Sequence, residues 1–462
     1  MALVKSKKIV LTIIISLVIG FLSGCEVKLP TFLTKPDVYE IFSILDQYYY
    51  KDLDFTIDDV ETVKDIFERL DDPYTYMYVP NTRTIELDES YYGIGITITD
   101  DEQGLLIAST NPLAGLETKI YIGDIIKEVN GTTLSTLTYD EKTVLLSGDL
   151  GTEFALVIQR GDQLIETSVS VKEIPIQSVT SKMLDNQIAY IDINRFAGKT
   201  GLAFRTELAL IETLNPNGLI IDVRNNGGGY LTAVVDIIAQ FATGNEPVVT
   251  MHRMYDDHRT NYYGNTENIR KTYPIVILMN ENSASASEVL AIALRENGGY
   301  PLVGTKTFGK FVYQTTFVLS KQGKEMYLNM TEGYWYSPNG NTVEGGINPD
   351  VLIEQSGLLF YEYPIYQQEL ILGDDITSLP ALIEVLNLLE DTLPDRSEPF
   401  TIDDELVLKI RAFQTAQSLA VTGTLNYETT IQLIDYYRVL IKEVAYDYQL
   451  QATHQYMVNY EN

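Results

Sequence analysis

The chain has 462 residues, more than a single hydrophobic core usually holds, and this length predicts several domains. Its 64 acidic residues outnumber its 33 lysines and arginines, which gives a formal net charge of −31. A surface of this sign repels phosphate backbones, so the composition excludes nucleic-acid binding through charge neutralisation.

The first 24 residues differ from the rest of the chain. Three lysines within residues 5–8 precede an apolar run over residues 9–22, and Ser23-Gly24 leads to Cys25. This pattern resembles a bacterial lipoprotein signal, which implies cleavage before Cys25 and lipid attachment to its thiol. An uncleaved anchor helix with an incidental cysteine is the alternative. Both interpretations place the remaining chain at the extracytoplasmic face of the membrane.

Residues 25–88 are predicted to form a helical region. Apolar residues recur at helical spacing over residues 36–50 and 56–70, which predicts two short helices. The second is closed by Asp71-Asp72 before a proline, a sequence more typical of a turn than of a metal site.

Residues 89–172 contain short apolar strands separated by glycine turns. The order of these elements resembles a PDZ domain, although a generic β-hairpin region with glycine turns is an alternative. In PDZ domains a glycine-containing loop offers N–H groups to the terminal carboxylate of a peptide that joins the sheet edge. The resemblance assigns this role to Gly93, Ile94, Gly95 and Ile96.

Residues 173–356 alternate between strands and helices, which predicts an α/β core. A strand over residues 188–193, a helix over 201–214 and a strand over 217–224 lead into a glycine loop at 225–229. Loops at the carboxyl ends of strands carry the sites of α/β sheets. A phosphate-binding loop is disfavoured because no Gly-Lys-Ser/Thr sequence follows.

A serine-rich turn joins the next strand, 273–280, to a helix over 287–297. A hydroxyl at a helix start lies beside unpaired N–H groups that can stabilise an oxyanion, so the turn suits acyl transfer. The local sequence leaves a second interpretation open, in which Ser283, Ser285 and Ser287 only cap the helix.

A serine nucleophile needs a base, and the chain has only three histidines. His252 and His258 lie in a polar segment with two aspartates, whose spacing fits no helix-borne metal-ligand pair and favours a solvated loop. Neither a metal nor a cofactor is predicted. Lys310 lies between glycine and aromatic residues, and burial there would leave its amine neutral and basic.

The serine turn and the lysine loop together carry a second resemblance. Ser-Ala-Ser-Ala-Ser-Glu followed by Thr-Phe-Gly-Lys, with the lysine 25 residues after the central serine, resembles the tail-specific, or carboxyl-terminal processing, serine peptidases. The resemblance implies that Ser285 is the nucleophile, Lys310 the general base and Gln314 the residue that orients the lysine. It also implies that the amides of Gly228 and Ala286 form the oxyanion hole.

Residues 70–74 and 344–350 resemble further motifs of the same family, whereas Gly227 replaces a proline of its glycine loop. The fold implied is a multidomain α/β protein with a mixed α/β, ClpP/crotonase-like protease core, an inserted PDZ β-domain and a small C-terminal helical domain. After a linker over residues 357–376, residues 377–440 resemble a three-helix peptidoglycan-binding module. A plain helical bundle without a ligand is the alternative, and residues 441–462 are interpreted as a tail.

The sequence as a whole predicts an extracytoplasmic, lipid-anchored serine endopeptidase that binds protein C-termini through its PDZ domain and cleaves with a Ser–Lys dyad. Its expected partners are proteins or peptides with accessible C-termini, with peptidoglycan as a second candidate. The alternatives are a catalytically inactive PDZ scaffold and a cell-wall-associated binding protein. Nothing in the sequence indicates an oligomeric state.

Overall fold

The protein was analysed in a computed structural model, which describes residues 15–17, 34–78, 90–116, 119–161, 163–175, 177–242, 244–265, 270–321, 324–361, 363–366, 368–377, 379–389 and 401–460. Cys25 and most of the predicted signal segment lie outside these residues. Across the described ranges, none of the helices combines the length and apolar character needed to cross a bilayer.

The α-helices of the described residues are α1 (Lys35–Tyr48), α2 (Val63–Leu70), α3 (Tyr139–Leu145), α4 (Thr200–Glu212), α5 (Leu231–Ile238), α6 (Ala286–Gly298), α7 (Pro380–Leu389), α8 (Asp404–Ala416), α9 (Tyr427–Leu440) and α10 (Tyr448–Asn459). The strands are β1 (Ile15–Leu17), β2 (Tyr76–Tyr78), β3 (Ser90–Gly93), β4 (Ile96–Asp101), β5 (Gly104–Thr110), β6 (Ile125–Val129), β7 (Thr132–Thr133), β8 (Glu153–Arg160), β9 (Gln163–Ser170), β10 (Lys172–Pro175), β11 (Val179–Met183), β12 (Ile188–Ile193), β13 (Gly218–Asp222), β14 (Gly229–Tyr230), β15 (Pro247–Arg253), β16 (His258–Tyr263), β17 (Ile275–Met279), β18 (Leu302–Gly304), β19 (Val312–Lys321), β20 (Lys324–Tyr336) and β21 (Val351–Leu352).

The chain divides into two compact units. The first unit comprises residues 1–89, 176–353 and 453–462, and the second comprises residues 90–175 and 354–452. The first unit therefore contains the predicted protease core together with the N-terminal helices, and the second contains the predicted PDZ region together with most of the C-terminal helices.

A mixed sheet forms the centre of the first unit, with the strand order β11-β12-β13-β17-β18-β21. β11 runs antiparallel to β12, and the remaining pairs are parallel. Every residue of β13 and β17 is buried, as expected for strands covered on both faces. Helices α4, α5 and α6 share the hydrophobic core of this sheet. The loops after β13 and β17 leave the same edge of this sheet and carry Gly228 and Ser285, whereas Lys310 follows β18 and Gln314 lies on β19.

The second sheet of the first unit has the order β14-β1-β19-β20-β15-β16, with β2 paired to β20. The N-terminal helices pack on it through Met77, Met326 and Leu328. The second of the two predicted N-terminal helices is shorter than expected: a 3-10 turn occupies Ile57–Asp59, and α2 starts only after Thr62, which caps it through Asp65. The turn that follows α2 contacts this second sheet, because Asp72 accepts a hydrogen bond from Thr331 on β20.

The second unit contains an antiparallel sheet in the order β4-β5-β6-β8-β9, with β7 on β6, and a separate β3–β10 pair. β3 ends at Gly93 and β4 begins at Ile96, so Ile94 and Gly95 lie between the two strands. Gly95 breaks the strand with a φ of +81°.

The remainder of the second unit is helical. Helices α7, α8 and α9 pack around Leu382, Ile410 and Leu433. The residues interpreted as a tail are not without structure, because they contain α10.

Candidate active site

The serine turn between β17 and α6 holds a strained residue. Ser285 has φ 58° and ψ −113°, a backbone conformation that residues other than glycine rarely adopt. Such a conformation costs about 1–3 kcal/mol and persists only where its surroundings enforce it. Here the amide of Ala284 donates to the carbonyl oxygen of Asn226 at 3.1 Å, which fixes the turn against the glycine loop.

The three serines of this turn have different hydrogen bonds. The hydroxyl of Ser283 donates to the carbonyl of Val223 at 2.8 Å, and that of Ser287 donates to the carbonyl of Asn226 at 2.7 Å. The hydroxyl of Ser285 is buried and has no hydrogen-bond partner among the described residues. Ser283 and Ser287 therefore stabilise the serine turn through hydrogen bonds to Val223 and Asn226. The Ser285 hydroxyl makes no such bond and can act as a nucleophile.

Glu288 joins the serine turn to the lysine loop. One of its carboxylate oxygens accepts hydrogen bonds from the backbone N–H groups of Ser285 and Lys310, both at 2.8 Å. The other accepts from the Thr307 hydroxyl at 2.6 Å and from the Gly309 N–H at 2.7 Å. Because both amides converge on one oxygen, the predicted nucleophile and base are held as neighbours. Burial raises the pKa of Glu288 to about 7, and these four hydrogen bonds oppose the rise.

Lys310 is only 1% exposed. Burial disfavours the ammonium and lowers the pKa of Lys310 from 10.5 to about 7, although the negative charges of Asp72 and Glu288 act in the opposite direction. This is the change that the sequence analysis requires of a lysine base. The Lys310 carbonyl accepts a hydrogen bond from the Trp335 indole at 2.9 Å, so the backbone of the loop is also anchored.

Gln314 is fully buried on β19. Its side-chain Nε2 donates to the Thr331 hydroxyl at 3.3 Å, and Thr331 in turn donates to Asp72 at 2.7 Å. The Oε1 atom of Gln314 has no hydrogen-bond partner in the described part of the chain. Gln314 therefore lies in a network that includes Asp72 and has an unused acceptor.

The glycine loop lies directly against the serine. A Cβ on Gly228 would come within 3.0 Å of the Ser285 Cβ and 3.2 Å of the Ala286 amide nitrogen, so these three residues meet as expected. The Gly228 amide, however, donates to the Asn226 side-chain oxygen at 2.9 Å. Asn226 is itself held by a bond from its Nδ2 to the Ile193 carbonyl at 2.7 Å. An oxyanion at this position would therefore either share the Gly228 N–H with the Asn226 side-chain oxygen or displace that oxygen.

The part of the chain that carries this geometry is similar to known peptidases. Residues 187–353, which include the glycine loop, the serine turn and the lysine loop, match the model of peptidase family S41. This match identifies the protein as a serine-type peptidase.

Several curated proteins are similar to the peptidase over most of its length. A probable CtpA-like serine protease of Staphylococcus saprophyticus is 28% identical over 411 residues, which cover 86% of this chain and 82% of the relative. The carboxy-terminal processing protease CtpB of Bacillus subtilis is 28% identical over 404 residues, covering 84% and 82%. Among solved structures, the photosystem II D1 C-terminal processing protease has 22% identity and a TM-score of 0.45, covering 69% of this chain and 93% of the other.

Sequence reasoning missed three contributors to the site of the peptidase. The sequence places Glu288 at the end of the serine motif, Asp72 in a turn and Asn226 in the glycine loop, and it indicates no further role for them. Their contacts join segments that are distant in sequence, which no local spacing reveals. Asp72 does form a turn, since its carboxylate accepts from the Tyr74 N–H at 2.9 Å.

Of the two candidate histidines, His252 is buried on a strand of the peptidase rather than in the solvated loop expected from the sequence. His252 on β15 contacts the Asp257 carboxylate through Nε2 at 2.6 Å, within the hairpin that joins β15 to β16. No cluster of three or more metal-ligating side chains occurs in the ranges that the structure describes.

The predicted carboxylate-binding loop lies in the second unit. Ile94 is buried, and a Cβ on Gly95 would lie 2.2 Å from the Ala114 Cβ. The Gly95 carbonyl accepts from the Asn111 N–H at 2.7 Å. The loop thus requires glycine at position 95 and presents a bend between Gly93 and Ile96.

Proposed function

We propose that the protein is an extracytoplasmic endopeptidase that hydrolyses peptide bonds with a Ser285–Lys310 dyad. The observation that carries this proposal is the combination of a buried, unbonded serine hydroxyl in a strained turn with a buried lysine of depressed pKa, both fixed by Glu288. The mixed sheet with its crossover helices is compatible with the ClpP/crotonase-like core expected from the sequence.

In the proposed reaction the neutral Lys310 amine takes the Ser285 hydroxyl proton while the serine oxygen attacks the scissile carbonyl carbon. The resulting oxyanion is stabilised by the Ala286 amide at the start of α6 and by the Gly228 amide of the glycine loop. Lys310 then passes its proton to the leaving amine, and the C–N bond breaks to give an acyl-enzyme. Water hydrolyses this ester, and Lys310 again serves as the base.

The nucleophile is tested with a fluorophosphonate probe, which labels activated serines. The wild-type protein should be labelled at Ser285 within minutes, whereas Ser285→Ala and Lys310→Arg should not be labelled, since guanidinium stays protonated. Absence of labelling in the wild type would instead support an inactive scaffold. Labelling of Lys310→Arg at the wild-type rate would exclude Lys310 as the base.

The pH dependence follows from the same pKa. As pH falls through about 7, Lys310 gains a proton and loses its basicity, so kcat/KM should fall below this pH and level off above it. A value of about 7 is close to that of imidazole. The pH profile alone therefore does not separate a lysine base from a histidine base, and Lys310→Arg is the deciding variant.

We further propose that residues 90–175 form a PDZ domain that binds the C-terminal tail of the substrate. The antiparallel sheet and the Gly93–Ile96 bend support this assignment. A fluorescent peptide with a free carboxylate should bind the full chain more tightly than the same peptide with a C-terminal amide. Equal affinities would contradict carboxylate recognition.

For the C-terminal helices we propose peptidoglycan binding. A groove of about 430 Å³ lined in part by Leu372, Leu408 and Arg411 offers apolar surface and a cation to a peptide-bearing glycan. Purified cell-wall sacculi should sediment the wild-type protein and retain less of Leu408→Asp. Equal sedimentation of both would leave a helical bundle without this ligand.

Membrane attachment through Cys25 is proposed from the sequence of residues 1–25. Cys25→Ala should leave an unprocessed precursor without lipid. Mass spectrometry of the wild-type N-terminus that finds Met1 would contradict lipoprotein processing.

A further inference from the structure

The turn after α2 carries a carboxylate with four hydrogen bonds. The Asp72 Oδ2 atom accepts from the hydroxyls of Thr75 and Thr331, both at 2.7 Å, and from the Tyr49 hydroxyl at 3.1 Å. Its Oδ1 atom accepts from the Tyr74 N–H at 2.9 Å. These donors come from the residue that follows α1, from the turn itself and from β20, so the carboxylate is fixed from three directions.

The same turn reaches the lysine. The Lys310 ammonium nitrogen lies 4.7 Å from the centroid of the Tyr74 ring, within the range of a cation–π contact. Tyr74 is held by its carbonyl oxygen, which accepts from the Asn329 side chain on β20 at 3.1 Å. The ring therefore covers the lysine from a fixed position and limits where its amine can lie.

We propose that Asp72 and Tyr74 are positioning residues for the lysine base: the Tyr74 ring sets the location of the Lys310 amine, and Asp72 holds the turn that carries this ring. This inference rests on the proposed Ser285–Lys310 dyad. It assigns to the N-terminal region a direct part in the chemistry of the core.

Charged groups from two segments face Lys310. Two carboxylates act on its ammonium, Asp72 from the turn and Glu288 from α6, and both favour the protonated form. Glu288 is committed to four donors of the serine and lysine loops, so removing it would disturb the nucleophile as well. The four donors to Asp72 named above lie outside the serine turn, so its charge can be removed with Ser285 left in place.

The experiment measures kcat and KM against pH for Asp72→Asn on a short quenched peptide. Asparagine keeps the shape and an acceptor but removes the charge, so the acid limb of kcat should move to lower pH by about one unit. Asp71→Asn is the matched control, because Asp71 is exposed and precedes Asp72 directly. Its φ of 47° is one that asparagine tolerates. The acid limb of the kcat–pH profile should not move in this variant.

Tyr74 is tested by a pair of variants. Tyr74→Phe keeps the ring and should retain kcat within about twofold, whereas Tyr74→Leu should lower kcat about tenfold with KM unchanged. Equal losses in the two variants would show that the hydroxyl or the packing matters and would overturn the role of the ring.

The outcomes separate this inference from the proposed function. Activity in Ser285→Ala or Lys310→Arg would refute the dyad itself. If both are inactive but Asp72→Asn keeps the wild-type acid limb, the dyad stands and the role of Asp72 is wrong. If Asp72→Asn has a lower Tm but the same acid limb of the kcat–pH profile as the wild type, Asp72 contributes only to stability.

Discussion

The serine turn of the first unit and the predicted carboxylate-binding loop of the second unit, Gly93–Ile96, both contain a residue with positive φ. The two segments stabilise this conformation differently. Ser285, at φ 58°, is not glycine, and its turn is enforced by Ser283, Ser287 and Glu288. Gly95, at φ +81°, adopts its conformation without steric cost and fits closely against Ala114.

This difference corresponds to the two proposed tasks. A nucleophile must be placed to within a fraction of an ångström, so a strained side-chain-bearing residue and many hydrogen bonds are tolerated. A carboxylate-binding loop uses backbone N–H groups alone, for which glycine suffices. Changes in the serine turn should therefore lower kcat, and changes in the predicted carboxylate-binding loop should raise KM.

The largest effect is expected at Ser285. Ser285→Ala removes the nucleophile and should lower kcat at least about a thousandfold with little change in Tm. Ser283→Ala and Ser287→Ala each lose a buried loop hydrogen bond, so they should lower stability by about 1 kcal/mol and keep most of the activity. Kinetics and thermal unfolding of all three variants provide the measurement. Equal loss of kcat in the three would favour capping over catalysis.

The next largest effect is expected at Glu288. Both of its oxygens face donors, so Glu288→Gln would place an NH₂ group against N–H or O–H groups that it cannot satisfy. The serine and lysine loops should shift, with kcat lower by about a hundredfold and KM little changed.

Glu296→Gln on the same helix is the control for this change, because Glu296 accepts a single exposed bond, from the Asn339 N–H at 2.8 Å. Wild-type kcat in Glu288→Gln would show that the carboxylate does not position the dyad.

A smaller effect is expected at Gly95. Gly95→Ala would push a Cβ into Ala114, and we expect KM for peptides with a free C-terminus to rise about tenfold while kcat stays unchanged. Gly131→Ala is the matched control, since Gly131 has a similar φ of +79° but no atom within 4 Å of its Cβ position. An equal rise in KM for the two variants would attribute the effect to backbone strain rather than to the loop.

The sequence predicted those parts of the site that depend on local patterns. The helix beginning after Ser285, the strand before it and the glycine loop near Gly228 all follow from spacing and residue type. The positive φ of Ser285 did not follow, because it is imposed by partners from other segments. Nor did the hydrogen bond from the Gly228 amide to Asn226, which depends on how Asn226 is itself held by β12.

The N-terminal region shows the same limit. Apolar spacing predicted its helices, and the Asp-Pro sequence predicted a turn, yet nothing local indicated that the Tyr74 ring would cover Lys310. That contact needs β2 to pair with β20, which is a matter of tertiary topology. Helix α10 was missed because the residues after position 440 lack a strong apolar period.

The bond between Asp72 and Thr331 joins residues that are 259 positions apart. Contacts at such separation form late in folding, since the loop between them must close first. A chain still being synthesised would display the serine turn before the complete surroundings of its lysine existed. The surroundings of Lys310 are therefore complete only when the turn after α2 has met β20.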